Sequence, residues 1–293
     1  MTGAELAGQV ILVTGASSGI GAAAARELHR RGAIVHVAGR SPDRTAAVAA
    51  DVGTEPIIAD FARLADVRAT AAQVLSRCDR LDALVNNAGI WVTSRQETQD
   101  GHELMFQVNH LAPFLLTALL KDLLVASAPA RVITTASVAN LSGFVRLNDL
   151  ETRLFFTGYT VYGTTKLENI LFTRELGRRL AGTGVLATCF NPGPVATDLA
   201  RGTLIGAAYQ LPLSRLLMKS PERGADTLVW LATQPADRLS QGGYYSNRRP
   251  GLLNPQALSA PLARQLWDQT ERLLDAGKAD APGPGDALAS PGG

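Results

Sequence analysis

Cysteine is nearly absent from this chain of 293 residues: Cys78 and Cys189 stand far apart and without metal-ligand spacing. That argues against a disulfide scaffold and for a reducing compartment. Histidine is scarce as well. His29, His36, His102 and His110 form no HxxxH or HxxE pattern, so no metal centre is expected. Charge of one sign is lacking: 28 Lys and Arg face 26 Asp and Glu, with no basic run. Such a balance gives no reason to expect nucleic acid as a partner. Long apolar runs are missing too. The longest, LAPFLLTALL at 111–120, is much shorter than the roughly 20 residues of a membrane span. The opening MTGAELAGQ is mixed and short, unlike a secretory signal. The expectation is a cytoplasmic protein without a membrane anchor.

What the chain does have is a repeated alternation of strand and helix patterns. QVILVTGASSGIGAAAARELHRRG reads as strand, glycine-rich turn and helix. Further strands are expected in IVHVAGR, EPIIADF, LDALVNNAG, ARVITTAS, GVLATCFNPG and GGYYS. Helices are expected at about 43–53, from beyond Phe61 to about Cys78, at 101–127 and at 159–182. Alternation of this kind predicts an α/β fold, a Rossmann-type doubly wound parallel sheet in three α/β/α layers. The sequence has the composition of a globular protein, 46% hydrophobic and 18% charged. One domain over 1–276 is expected, followed by a disordered Gly/Pro/Ala tail over 277–293.

Several motifs fall where strands of such a sheet end. In TGASSGIG, Gly15, Gly19 and Gly21 lie between the first strand and helix. Glycine permits a tight turn and lets a pyrophosphate approach the helix N-terminus, where free N–H groups favour negative charge. The second strand ends in Gly39-Arg40, with no acid before Asp43. An acid there would bind a ribose 2′-hydroxyl, whereas an arginine accommodates a 2′-phosphate. Arg40 therefore predicts NADP(H) as the preferred cofactor, with NAD(H) still possible. In NNAG, Asn86 is expected to hold the sheet together while Asn87, Ala88 and Gly89 edge the cofactor site. Ser137 ends the fifth strand. Tyr162 and Lys166 share one helix face at i and i+4, so the lysine is expected to lower the phenol's pKa and make it an acid/base. Tyr159 has Gly163 at its own +4 position, so it serves as an internal control without a cation.

TGASSGIG, NNAG, VNHL and YGTTK, in this order and at these intervals, resemble the short-chain dehydrogenase/reductase family over about residues 8–250. FQVNHLAPFLLTALL, SAPARVITTAS, KLENILFTRELGRRLAGTGV and NPGPVATDL look like its retinol-dehydrogenase-like branch, as does the 25-residue separation of Ser137 and Tyr162. The resemblance implies a catalytic set. Tyr162 would be the general acid/base, Lys166 its tuner and a ribose ligand, Ser137 a hydrogen-bond partner of the substrate oxygen, and Asn109 the holder of a relay water. It implies a pyrophosphate cradle of Gly15, Ser17, Ser18, Gly19, Ile20 and Gly21, and an adenine contact at Asp60 with Phe61. Pro192, Gly193, Val195 and Thr197 would close over the nicotinamide. Where branch members often carry Gly after NHL, this chain has Ala112-Pro113, which is expected to bend the helix because proline has no amide donor.

A mobile lid is expected near 199–219. Its aliphatic composition points to a lipophilic carbonyl substrate, with Leu204, Tyr209, Trp91 and Tyr159 as pocket residues. The function expected is hydride transfer between NADP and a carbonyl or alcohol of a small molecule. A redox-neutral enzyme of the same fold (an epimerase, dehydratase or cyclase) and a non-catalytic NADP sensor are the alternatives. The family resemblance further implies a homodimer or homotetramer through the helices at 101–127 and 159–182.

Overall fold

The computed structural model describes residues 5–195 and 219–279. The first half runs β1 (Val10–Thr14), α1 (Gly19–Arg30), β2 (Ile34–Gly39), α2 (Pro42–Asp51), β3 (Ile57–Ile58), α3 (Leu64–Arg77), β4 (Ala83–Asn86) and α4 (Leu104–Ala126). The second runs β5 (Ala130–Thr135), α5 (Gly158–Arg179), β6 (Val185–Asn191), α6 (Pro221–Thr233), β7 (Gly243–Ser246), β8 (Arg249–Pro250) and α7 (Ala260–Ala279).

The strands make one sheet in the order β3-β2-β1-β4-β5-β6-β7-β8, parallel except for the short antiparallel β8. Every residue of β1 is buried, as a strand covered on both faces must be. Its alternating side chains feed two cores. Ile11 and Val13 pack with α1 and α6, whereas Val10 and Leu12 pack on the side of α3, α4, α5 and α7. The strand order reverses between β1 and β4, which is where doubly wound sheets open a ligand crevice.

The expected alternation is present, with additions. β3 is only two residues long. β8, α6 and α7 were not foreseen. The helix α7 reaches Ala279, past the expected tail boundary at 277, and the rest of the tail lies outside the described residues. So does nearly all of the expected lid, from 199 to 218.

The helix α4 is long and apolar enough to cross a membrane by length and composition, yet two-thirds of its most apolar window is buried within the fold. Residues Gln107–Leu111 form a π-helical turn in which Ala112 N–H donates to the Gln107 carbonyl. Pro113 follows at once. It has no amide for the carbonyls of the preceding turn, so the expected disturbance takes the form of a widened turn.

The helix α7 lies across α5 and α4. The Trp267 ring sits 4.5 Å from Phe114 and 5.8 Å from Phe172, and the Arg179 guanidinium lies 4.4 Å from its centre. Buried Thr270 meets His110 Nε2 at 3.1 Å. The helices expected to pair with a second subunit are thus covered along this face by the same chain.

One feature of α5 is costly. Glu168 is fully buried, and neither carboxylate oxygen has a hydrogen-bond partner among the described residues. Burial, with Glu103 adding to it, pushes its pKa well above the ordinary value. An acid raised in the folded state binds its proton more tightly there than in the unfolded chain. Its contribution to stability is therefore intact below the unfolded pKa and is lost as pH rises toward the folded value, at up to about 1.4 kcal/mol per pH unit. Glu168→Gln should be more stable than the parent at neutral pH and equal to it near pH 4. Urea unfolding at several pH values reads the difference, and parallel curves for the two proteins would contradict the assignment.

Candidate active site

The β1 and β4 turns meet at the reversal point. Gly15 adopts φ +65°, and a Cβ added there would lie 2.7 Å from the Ala88 Cα. One on Gly21 would lie 2.5 Å from the Gly15 carbonyl oxygen. Thr14 Oγ1 donates to the Val85 carbonyl and accepts from the N–H groups of Asn87 and Ala88. Asn87 Nδ2 donates to the Thr14 carbonyl at 2.9 Å. Asn87 therefore does the joining expected of Asn86, whose own side chain bonds Thr117 on α4 at 2.9 Å.

The bare backbone of this turn fits a dinucleotide pyrophosphate. Ser18 is the N-cap of α1 but makes no side-chain capping bond, so the first-turn N–H groups keep their affinity for an anion. Ser17, Ser18 and Gly19 border a cavity of about 250 Å³ that Arg44 also lines. A Cβ added at Gly224 would lie 3.1 Å from Ile20 and 2.6 Å from Val195, so both side chains pack on this glycine. Arg40 is exposed at the end of β2 and forms no ion pair with the described residues. Asp60 caps its own turn through the Ala62 N–H, and Phe61 packs into the core with its carbonyl accepting from Gln107 Nε2.

The second group of residues gathers at the same edge. Lys166 is only 2% exposed, with Nζ 5.4 Å from the Tyr162 ring centre and 3.3 Å from the Thr135 carbonyl. Gly89 faces both Lys166 and Asn109: a Cβ there would be 3.4 Å from Nζ and 3.2 Å from Asn109 Oδ1. The Asn109 amide is fully engaged. Oδ1 accepts from Ile90 N–H at 2.8 Å, while Nδ2 donates to the Ile90 carbonyl and to Thr165 Oγ1, each at 3.0 Å. Thr165 in turn donates to the Tyr162 carbonyl at 2.8 Å.

Electrostatics depart from the expectation. Burial pushes the Tyr162 hydroxyl up to about 12, Ser137 pulls it down through a hydrogen bond, and Tyr159 raises it. Burial also brings the Lys166 ammonium down to about 8. The cation beside the ring does not offset desolvation, so the tyrosine is a protonated donor at neutral pH rather than a group poised near neutrality.

Tyr162, Lys166, Ser137 and Asn109 lie at one edge of the sheet, and the Asn109 amide is engaged by Ile90 and Thr165 instead of standing free for a water. Trp91 lies 6.5 Å from the Tyr162 ring, and its buried Nε1 has no partner among the described residues. Tyr159 sits exposed one turn before Tyr162. Gly193 adopts φ +84°, and Lys219 Nζ donates to the Pro192 carbonyl at 3.3 Å, while Val195 pairs with Lys219. Thr197, Leu204 and Tyr209 lie outside the described residues. Sequence reasoning missed Thr165 and Thr135. Thr165 stood inside YGTTK as an apparent spacer, and its i+3 placement from Tyr162 was the available signal.

Comparison with known proteins identifies the family. The short chain dehydrogenase family matches residues 9–204. A protein of Streptomyces sp. (strain C5) named for a daunorubicin C-13 ketoreductase is 41% identical, covering 90% of this chain and 91% of its own. Human retinol dehydrogenase 13 is 38% identical, covering 92% of this chain and 86% of its own. Among solved structures, an uncharacterised protein from Mycobacterium paratuberculosis has a TM-score of 0.75 at 31% identity, covering 92% of this chain and 94% of its own. A short chain dehydrogenase from Burkholderia cenocepacia J2315 in complex with NADP has a TM-score of 0.66 at 27% identity, covering 87% of this chain and all of its own.

Thr165→Val keeps the side-chain shape and removes the hydroxyl between Asn109 and Tyr162. A hydrogen bond of this kind is worth about 1 kcal/mol, so kcat should fall by about fivefold to tenfold with KM nearly unchanged. Thr165→Ser should restore it. Steady-state kinetics of the three proteins tests the link, and a Val variant with unchanged kcat would break it.

Proposed function

Since the chain belongs to the short-chain dehydrogenase family and its retinol-dehydrogenase-like branch, an oxidoreductase of CH–OH and C=O groups, we propose that it is an NADP-dependent reductase of a lipophilic ketone or aldehyde. The observation that carries this reading is Tyr162, a protonated phenol beside Ser137 and the buried Lys166, at the edge where the glycine turn can hold the cofactor.

The bound nicotinamide would supply the hydride. The chain's own residues do the rest. Ser137 and the Tyr162 hydroxyl bind the carbonyl oxygen of the substrate from one side, and Tyr162 delivers its proton as negative charge develops there. Lys166 stabilises the resulting phenolate, at a distance where little water intervenes to weaken the attraction. Asn109, locked through its amide, fixes the turn against which Lys166 lies. A hydroxyl that burial keeps protonated is available as the proton donor when a carbonyl is reduced.

Exposed Val138 and Leu141, just beyond Ser137, support an apolar substrate, and the C-13 ketoreductase named in the Streptomyces relative supports a ketone. NADP preference rests on Arg40 and on Arg44 beside the Ser17 cavity. We place the enzyme in the cytoplasm, as one catalytic domain that extends through α7. A homodimer or homotetramer is part of this reading, and the face of α4 and α5 that α7 covers is not available to it.

NADPH oxidation with a panel of hydrophobic ketones should proceed in the parent and fall by at least about a thousandfold in Tyr162→Phe, the scale of a lost acid in concert with its partners. Tight NADPH binding without turnover across the panel would favour the redox-neutral alternative. Arg40→Ala should raise the KM for NADPH about tenfold and leave that for NADH unchanged, the worth of a charge-assisted contact. Equal use of both cofactors by the parent would refute the role of Arg40.

A further inference from the structure

Some of the large exposed apolar side chains lie beside the site, whereas Ile34, Leu75 and Leu119 are exposed on other elements. Phe144, Leu154, Phe155, Tyr159 and Leu252 all project from segments at the carboxyl edge of the sheet. Those segments are tied to one another. Phe144 N–H donates to Thr164 Oγ1, Val145 N–H to Gln256 Oε1, and Asn254 Nδ2 to the Gly143 carbonyl. Tyr159 is the point where this rim reaches Tyr162.

Phe155 is the extreme case. It is 89% exposed and held at φ +57°, with Thr152 at φ +46° in the same loop. Left-handed backbone is strained for a bulky side chain, and strain persists only where the surroundings impose it. Asp149 imposes it here. One carboxylate oxygen accepts from Arg153 N–H at 2.8 Å, the other from Leu154 N–H at 3.1 Å. The loop is built to hold an aromatic ring out in water.

Charge on the rim is sorted by direction. Arg146 is exposed, its guanidinium 5.7 Å from the Phe144 ring centre, and the Arg153 side chain is 69% exposed. The acids of the same loop turn inward. Asp149 serves the backbone, and Glu151 meets His102 Nδ1 and Glu103 N–H at 3.1 Å each, only grazing Arg153 at 3.9 Å. Outward, the loop offers phenylalanine, leucine, tyrosine and arginine. That is the composition of a surface settled at a lipid headgroup boundary. Phe144, Arg146, Arg153, Leu154 and Phe155 all belong to the one connection between β5 and α5, so apolar and basic side chains are carried together.

We propose that this rim docks the active-site mouth on an anionic bilayer. Arg146 and Arg153 would pair with lipid phosphates, and Phe144, Leu154 and Phe155 would enter the outer acyl region. Binding to lipid is independent of the redox chemistry. Only its use, the admission of a lipophilic carbonyl straight from the membrane, rests on the reductase reading.

Sedimentation of the full chain with vesicles tests this without any activity measurement. Equimolar phosphatidylglycerol and phosphatidylcholine should retain the protein, pure phosphatidylcholine much less, and added salt should release it. Arg146→Ala with Arg153→Ala should weaken partitioning roughly thirtyfold, at about fivefold for each arginine near the surface. Leu154→Ser with Phe155→Ser should weaken it at least tenfold, about the worth of two CH₂ groups withdrawn from lipid. These side chains are exposed, so unchanged thermal unfolding checks that each variant is folded. Absence of binding to the anionic vesicles overturns the proposal, as does binding that the variants leave intact. Self-association of the parent that Leu154→Ser with Phe155→Ser abolishes, without vesicle binding, would assign the rim to a second copy and overturn it as well. Loss of NADPH turnover with vesicle binding intact would strike the reductase reading alone.

Discussion

The contact on which the molecule depends is the approach of two backbone turns, those after β1 and β4, bridged by the side chains of Thr14 and Asn87. The Gly15 position lies so close to Ala88 that a single added carbon would collide. Thr14 and Asn87 lock the approach with four hydrogen bonds between them and the neighbouring backbone. This contact lies where the strand order reverses, so it also defines the crevice. On one side stands the open N-terminus of α1. On the other, Gly89 leads directly to Asn109 and Lys166. Were the turns a few tenths of an ångström farther apart, the phosphate cradle and the proton-handling residues would lose their common frame.

Around that frame the protein buries ionisable groups with little compensation. Lys166 has a backbone carbonyl for company and no carboxylate among the described residues. Glu168, two positions on, has no hydrogen-bond partner there at all. Both are pushed toward their neutral forms by burial, and so is Tyr162. The helix α5 thus carries three groups whose charge states are set by desolvation more than by neighbours. A low-dielectric setting weakens each charge in isolation and strengthens any that forms during reaction. The same setting that holds Tyr162 protonated gives Lys166 leverage over a phenolate once one exists.

Much of this was legible in the sequence because it is local. TGASSGIG follows a strand and precedes a helix, so its role can be deduced from position alone. Tyr162 and Lys166 needed only helical spacing. What was hidden depends on distant partners. Nothing local tells Asn86 from Asn87, and the division of their work is decided by where Thr117 and Thr14 lie. Thr165 looks like a spacer until Asn109 is brought to it from 56 positions away. The expected pKa of Tyr162 failed for a related reason. Spacing reports that a cation is near, but not how much water has been removed around both groups. The helices α6 and α7 follow the last strong motif, and their amphipathic pattern acquires meaning only against surfaces made earlier in the chain.

The order of those surfaces matters during synthesis. Trp267 and Thr270 close over Phe114, Phe172 and His110, which belong to helices made more than ninety residues before. A nascent chain can therefore assemble its sheet and glycine turn while the outer face of the catalytic helix still stands open to water. Segments of a domain emerge from the ribosome in sequence, at roughly 5–20 residues per second, so that face stays uncovered for seconds and is open to chaperones in the meantime. The helix α7 completes the catalytic layer, and a chain released before it would carry every named site residue and lack the wall behind them.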